Sequence, residues 1–378
     1  MKEPLYPLKF KEVIRQYEFG GRNIPRLYPQ KALPGGITIA ETWEITAHAD
    51  DPGTVKNGSL RGDTILAVIE QFGAELMGKA TYKRYHGKFP LLLKFLDAQE
   101  TLEAQIHPTD TYVKHNDLDG FGKPEAWYIL EAKPDAKLYW GTKSGVTKQD
   151  FLKIGPHEQA IKNLLMKVSV KAGDVLYVPP GHVHAIGKGV VLIELQQTSD
   201  VTIGPDYLFC SGRKKEVAPK EAFKMFMEQI SIEQIAEENV FLPPISYPIG
   251  RCKRTHLLAT KYFAWDLLEL GETWILSGGD RDEDKGRFAL LTNLGGEAVV
   301  RYGTDQEERL VSGETVLIPA CLSDVRIAPT TDRCTLLQSY VPDIVRDVIE
   351  PLRAQGVTNE RIGALGGPCE QNDVRALL

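Results

Sequence analysis

Short runs rich in Val, Ile, Leu, Tyr and Trp recur along the chain between Gly, Pro and Asp punctuation, and this recurrence limits the fold more than any other feature. The runs "GITIAETWEIT", "PLLLKFLDA", "TLEAQIH", "EAWYILEA", "AKLYWGT", "DVLYVPPG" and "GVVLIELQQ" fill the first half. Runs of this length bounded by turn formers read as strands. A second group, "YFAWDLLEL", "RFALLTNL", "GEAVVRYG", "ETVLIPA", "DVRIAP" and "CTLLQSYV", fills residues 262–341, with turn signals at the short intervals of a sandwich or jelly roll. Helical spacing is confined to residues 63–78, 156–168, 219–230 and 342–356, where apolar positions recur three and four apart. These read as helices decorating a sheet core.

A chain of 378 residues, 42% hydrophobic and 25% charged, is long enough for two domains and too apolar for disorder. Its formal net charge of -6, with Lys and Arg dispersed among acids, argues against nucleic acid as a partner. Five cysteines, widely spaced and without a C-x-x-C pair, argue against a disulfide scaffold or a thiolate zinc site and suit a reducing cytoplasm. The opening "MKEPLYPLKFKEVIRQYEFGG" has no uninterrupted apolar core of a signal peptide, and no run of about 18 apolar residues occurs, so neither export nor membrane spanning is expected. No Gly-rich nucleotide loop is present.

Two Pro turns are alike: "KAGDVLYVPPGHVHAIG" (171–187) and "VSGETVLIPACLSDVRIAP" (311–329) each join strand to strand. Their parallel suggests two related β-barrels of the cupin kind, the first with histidines at its turn and the second without. The expected fold is therefore mainly β, two cupin or jelly-roll barrels with a few peripheral helices. Residues 1–213 form a metal-binding catalytic domain with helical insertions, 214–254 a linker with helices, 255–341 a metal-free β domain, and 342–378 a helical tail. Within the first turn His182 and His184 are two apart, as are Gln105 and His107, and residues two apart on a strand face one side. A metal site needs three or four such groups to converge. Glu125, after the Gly-Lys-Pro turn of "GFGKPEAWYILEA", is the carboxylate candidate. Taken singly, a strand His is more often a packing residue, a Gln at a strand end is usually bland, and a Glu after Pro usually faces solvent.

The blocks "WEITAHADDPGTVKNGSLRGDTI", "FPLLLKFLDAQETLEAQIHPTD", "GKPEAWYILEAKPDAKLYWG" and "VPPGHVHAIGKGVVLIELQQTSDVT", in that order, resemble the type I mannose-6-phosphate isomerases, in their short bacterial form with two cupin domains. The resemblance is strong over about residues 8–210 and fades toward 340. It implies one Zn²⁺ bound through Gln105, His107, Glu125 and His184, with His182 as a neighbour rather than a ligand. It further implies that Lys94 and Lys123 line the substrate pocket and that Asp110, Glu194 and Gln196 are polar groups of the same cavity.

The chain departs from the family after "QQTSD", where the resemblance calls for T-Y-R and Ile203 and Gly204 stand instead. A Gly offers no charge to an enediolate or a phosphate. Arg213, Lys214 and Lys215 are the nearest substitutes; Arg213 is the preferred one, since its planar fork binds phosphate bidentately. The implied activity is a metal-dependent aldose-ketose isomerisation between mannose 6-phosphate and fructose 6-phosphate, with Glu194 and Lys123 as alternative bases. The alternatives are an isomerase of another sugar, unphosphorylated or otherwise anionic, or a non-catalytic sugar-binding cupin. A small sugar or sugar phosphate is the expected partner, and the chain is expected to be a monomer or homodimer.

Overall fold

The run "LLLKFLDA" becomes the strand Leu91–Ala98, buried along its whole length. Both its faces are covered, and alternation sorts them. Leu91, Leu93 and Phe95 enter one apolar cluster together with Val191, Ile193 and Leu195. Leu96 and Ala98 enter another with Trp127, Ile129, Val190 and Leu192. The structure, a computed structural model, describes residues 4–118, 120–276 and 286–378.

This strand sits inside a six-stranded antiparallel sheet ordered Val13–Arg15, Glu41–Ile45, Leu91–Ala98, Val190–Gln197, Glu125–Ala132 and Val175–Val178. A three-stranded sheet of His184–Ile186, Lys137–Thr142 and Leu165–Ser169 faces it. Leu138, Trp140, Val168 and Ile186 of the smaller sheet complete the second cluster, so the two sheets share one core. Trp127 and Trp140 are fully buried there, and truncating either to Ala is expected to cost about 3–5 kcal/mol.

The second half repeats this plan of a larger sheet packed against a smaller one. An eight-stranded sheet runs in the order Ile245–Ile249, Cys252–Ala259, Ala264–Leu270, Cys334–Tyr340, Ala289–Gly295, Thr315–Ile318, Leu8–Lys11 and Thr54–Val55. A four-stranded sheet of Trp274–Ile275, Arg326–Pro329, Glu297–Tyr302 and Gln306–Val311 covers one face, with Leu268, Leu291, Val300, Leu310 and Ile327 between them. The other face meets the first half: Leu257, Trp265, Leu290, Leu317 and Leu337 belong to the same cluster as Leu91 and Phe95. Although Leu8–Lys11 opens the chain, it pairs antiparallel with Thr315–Ile318, Leu8 opposite Leu317.

The fold is mainly β with peripheral helices, as the punctuated runs require. Local differences have physical causes. The expected helix 63–78 breaks into Ile65–Phe72 and Ala74–Met77 at Gly73, whose φ of 49° no continuing helix contains. The end of the expected helix 156–168 instead enters the strand Leu165–Ser169, which pairs with Lys137–Thr142, because short apolar runs do not distinguish the two periods. "TLEAQIH" makes only isolated bridges, Gln105 with His184 and Ile106 with Ile203. The tail packs on its own half, Val348, Leu352, Ile362, Leu365 and Val374 against Ile245, Ala259, Ala264 and Tyr340.

Candidate active site

Polar residues on the inward face of the six-stranded sheet come from four adjacent strands. Cross-strand register places Trp43 opposite Lys94, Lys94 opposite Glu194, and Glu194 opposite Trp127. One pair further along, Gln196 stands opposite Glu125. Apolar neighbours on the same face fill the core, so these polar groups mark where the sandwich opens. A cavity of about 620 Å³ opens there, lined by Glu41, Trp43, Lys94, Gln105, Lys123, Glu125 and Glu194 and, toward its mouth, by Asp200, Tyr207 and Lys214.

Gln105 reaches this face through a reciprocal backbone pair with His184, N–H to carbonyl at 3.0 and 2.9 Å. That pairing carries His107 against His184, with ring centroids 4.9 Å apart. Ligand atoms of His107, Glu125 and His184 all lie within 4.8 Å of one another, and all three residues are buried. The two imidazoles are oriented from behind. His107 Nδ1 is 3.0 Å from the carbonyl of Val201 and His184 Nδ1 is 2.8 Å from that of His182. A carbonyl only accepts, so each Nδ1 carries the proton and each Nε2 presents a lone pair.

Those lone pairs face a carboxylate. His107 Nε2 is 3.1 Å from Glu125 Oε1, and His184 Nε2 is 3.6 Å from Glu125 Oε2. Among the described residues neither His184 Nε2 nor Glu125 Oε2 has a hydrogen-bond partner. Acceptors facing acceptors in a buried place repel unless a cation lies between them. The chain supplies a partial one: Lys123 Nζ sits 2.7 Å from Glu125 Oε1 and 3.2 Å from His107 Nε2. Burial holds the His107 imidazole down to about 3, against the pull of Glu125, and lowers His184 as well. For Glu125 burial acts upward, but the Lys123 ammonium 2.7 Å away offsets it and the carboxyl lies well below its usual range. Two neutral imidazoles and an ionised carboxylate are the protonation states a divalent ion requires, so these residues fit a metal.

Beside them lies a second charged group. Lys94 Nζ is 2.9 Å from Glu194 Oε1 and 3.6 Å from Glu41 Oε2. Trp127 Nε1 donates to Glu194 Oε2 at 3.2 Å, and Trp43 Nε1 donates to Glu41 at 2.7 Å. Burial lowers Lys94, but Glu194 and Glu41 more than offset it and it stays protonated. Burial first, and then the charge of Glu125, push the Glu194 carboxyl up to about 7 despite Lys94.

Of the residues expected at the site, Lys94, Gln105, Lys123, Glu125 and Glu194 line the cavity and His107 and His184 stand behind its wall. Gln196 is buried next to Glu125 in register, its amide donating to the carbonyls of Gln197 and Ser199. Asp110 is not brought in: it is exposed at the start of the helix Asp110–His115, and its carboxylate accepts the Gly122 N–H at 2.8 Å. Arg213 is not among the lining residues either. On the two-residue strand Arg213–Lys214, alternation turns one side chain to the cavity, and Lys214 is the one that lines it. His182 precedes the strand His184–Ile186 and packs on Trp140 with centroids 3.9 Å apart, so the two histidines do not share a face. Glu41, Trp43, Asp200 and Tyr207 were missed. The alternation in "ETWEI" puts Glu41 and Trp43 on one face, but only register shows that this face meets Lys94.

Residues 8–147 match the family model described as phosphomannose isomerase type I, catalytic domain. The chain is 34% identical to a probable mannose-6-phosphate isomerase, GmuF, of Bacillus subtilis over 86% of this chain and 98% of that protein. It is 31% identical to the mannose-6-phosphate isomerase ManA of the same organism over 82% and 89% of the two chains. The crystal structure of a mannose 6-phosphate isomerase from Bacillus subtilis superposes with a TM-score of 0.72 at 25% identity, covering 88% of this chain and 99% of that one.

Proposed function

The chain belongs to the type I mannose-6-phosphate isomerase family and is an enzyme of that type; from this we propose that it interconverts mannose 6-phosphate and fructose 6-phosphate, with Zn²⁺ held by Gln105, His107, Glu125 and His184. The observation that carries this reading is the meeting of unprotonated imidazole and carboxylate lone pairs beside a buried Lys94–Glu194 pair in one cavity. Two histidines and a glutamate with further oxygen donors suit Zn²⁺ in an open, exchangeable site. When bound, the ion supplies Lewis acidity toward the sugar oxygens.

The reaction moves protons within one molecule. A base takes the C2 proton of the open-chain aldose and leaves an enediolate. That proton returns to C1 while the hydroxyl proton passes from O2 to O1, giving the ketose with no net gain or loss. Glu194 suits the base, since burial and the neighbouring Glu125 raise its carboxyl above the ordinary carboxylate range, making it a stronger base than an exposed glutamate. Its Oε2 is oriented by the Trp127 N–H. Lys94, kept protonated by its two carboxylates, lends fixed positive charge beside the developing oxyanions. Lys123 lines the cavity next to the ligand set and acts in the same electrostatic sense once a metal takes over its partners.

One observation favours isomerisation of another sugar: a Cβ built on Gly204 would meet Tyr207 Cε1 at 2.0 Å, so no side chain at 204 reaches the cavity. Incubating the Zn²⁺-loaded protein with mannose 6-phosphate, free mannose and other aldoses, and following ketose formation, tests both. Turnover of mannose 6-phosphate is the expected result. Conversion of a different sugar alone would favour the second reading, and no conversion of any would leave a binding protein.

A further inference from the structure

We propose that Lys214, carried on a short hairpin at the cavity mouth, is the residue that binds the anionic group of the substrate. The inference rests on the sugar-phosphate reading above and assigns the residue that would make it selective. Three lysines line the cavity: Lys94, Lys123 and Lys214. Two of them face buried carboxylates inside the cavity, beside the groups assigned to the reacting carbons: Lys94 with Glu194 at 2.9 Å and Lys123 with Glu125 at 2.7 Å. Lys214 is different. Its acidic neighbour is Glu103 at 3.5 Å, and both side chains are more than half exposed, 59% and 54%. Exposed pairs of this kind contribute little, so a phosphate bearing about two negative charges near neutral pH competes for the ammonium with ease.

The hairpin is built to hold that ammonium in place. The strands Leu208–Cys210 and Arg213–Lys214 pair in register, Phe209 opposite Lys214 and Cys210 opposite Arg213. Ser211 and Gly212 join them with φ of 50° and 73°, the left-handed pair that a tight two-residue turn requires. A non-glycine residue at positive φ needs support, and Asp200 gives it: its carboxylate accepts the Ser211 N–H at 3.1 Å and the Gly212 N–H at 2.6 Å. The Lys214 ammonium then lies 4.4 Å from the centroid of the Tyr207 ring. Tyr207 and Phe209 line the mouth beneath it. The ring of Tyr207 also occupies the space over Gly204, so Gly204, Tyr207 and Lys214 form one stacked unit in which the small residue makes room for the ring and the ring carries the cation.

Lysine at this position acts as a point charge toward phosphate rather than as a bidentate fork. A charge-assisted contact of that strength corresponds to about 10- to 100-fold in affinity. The test uses the full-length Zn²⁺-loaded enzyme and two readouts. In steady-state kinetics with mannose 6-phosphate, Lys214→Ala raises KM about 10- to 100-fold with kcat changed less than about threefold, and Lys214→Arg returns KM to within several-fold of the parent. In calorimetric titration with inorganic phosphate, the parent binds, Lys214→Ala binds at least about tenfold more weakly, and Lys214→Arg recovers. Equal phosphate affinity and equal KM in parent and Lys214→Ala overturn the proposal, as does a parent that binds no phosphate. If the parent binds phosphate through Lys214 yet turns over no mannose 6-phosphate, the isomerase reading fails while the anion contact stands.

Discussion

His107 Nε2 and Glu125 Oε1 are 3.1 Å apart with no hydrogen between them, since the imidazole proton is committed to the Val201 carbonyl on the far side and the Lys123 ammonium reaches both from one side. A cation resolves that repulsion, and its loss should be measurable one residue at a time. His107→Ala and His184→Ala are expected to lose stoichiometric metal after dialysis, and activity with it; full metal retained in both proteins, by elemental analysis, would remove them from the ligand set. Glu194→Gln makes the opposite separation. It should keep its metal and lower kcat by about 10²- to 10⁴-fold, the usual range for removing a general base. The pH profile follows from the same carboxyl. A base works unprotonated, so kcat/KM rises with pH through the titration of Glu194. Burial and Glu125 raise that pKa to about 7, and a bound cation pulls it back toward the ordinary value of about 4.3. The acid limb therefore lies between those values, and it should vanish in Glu194→Gln. A limb unchanged in that variant would assign the base elsewhere.

At the scale of elements, the second half shows what a buried charge does when it is not part of a site. Asp266, on Ala264–Leu270, is fully buried and reaches sideways along its own sheet. It accepts from Arg254 at 2.6 Å and Tyr340 at 2.9 Å and lies 2.8 Å from His256 Nδ1, tying Cys252–Ala259 and Cys334–Tyr340 to its own strand. Asp266→Asn should destabilise the protein by about 3–5 kcal/mol in urea titration, because it leaves the largely buried Arg254 without its counter-charge. Burial opposes ionisation here, but Arg254 and His256 prevail and hold the carboxyl well below its usual range. A depressed folded pKa means stability that is fully present above the unfolded value of about 3.9 and lost as pH falls below it. Asp266→Asn should accordingly flatten the acid side of the stability curve; an unchanged slope would place the acid sensitivity elsewhere.

Many of the longer strands were legible in the sequence as apolar runs closed by turn formers, whereas Leu8–Lys11, Cys252–Ala259 and Gln306–Val311 were not among those runs and Leu165–Ser169 read as helix. The site was legible less evenly. Gln105, His107, Glu125 and His184 stand in motifs, whereas Glu41 and Trp43 matter only because register sets them beside Lys94. The choice between Arg213 and Lys214 turned on the parity of a two-residue strand after a left-handed turn, which spacing alone does not fix.

For the whole molecule, we propose that residues 1–213 and 255–341 do not fold independently, although the linker between them reads as a domain boundary. Leu8, fully buried, comes from the first segment and pairs with Leu317 of the second. The cluster it joins also contains Leu93, Phe95 and Ile193 from one half and Trp265, Leu290 and Leu337 from the other. Splitting the halves would expose that apolar face on both sides, and a chain of this size would then be expected to populate an intermediate. The five tryptophans report on both halves, Trp43, Trp127 and Trp140 in the first and Trp265 and Trp274 in the second. Urea unfolding followed by tryptophan fluorescence and by far-ultraviolet circular dichroism should give one coincident transition. Leu8→Ala should move that whole transition by about 2–5 kcal/mol, the cost of emptying a buried leucine site. Two separated transitions, of which Leu8→Ala shifts only the second, would mean that the opening strand serves its own sheet alone and that the halves fold apart.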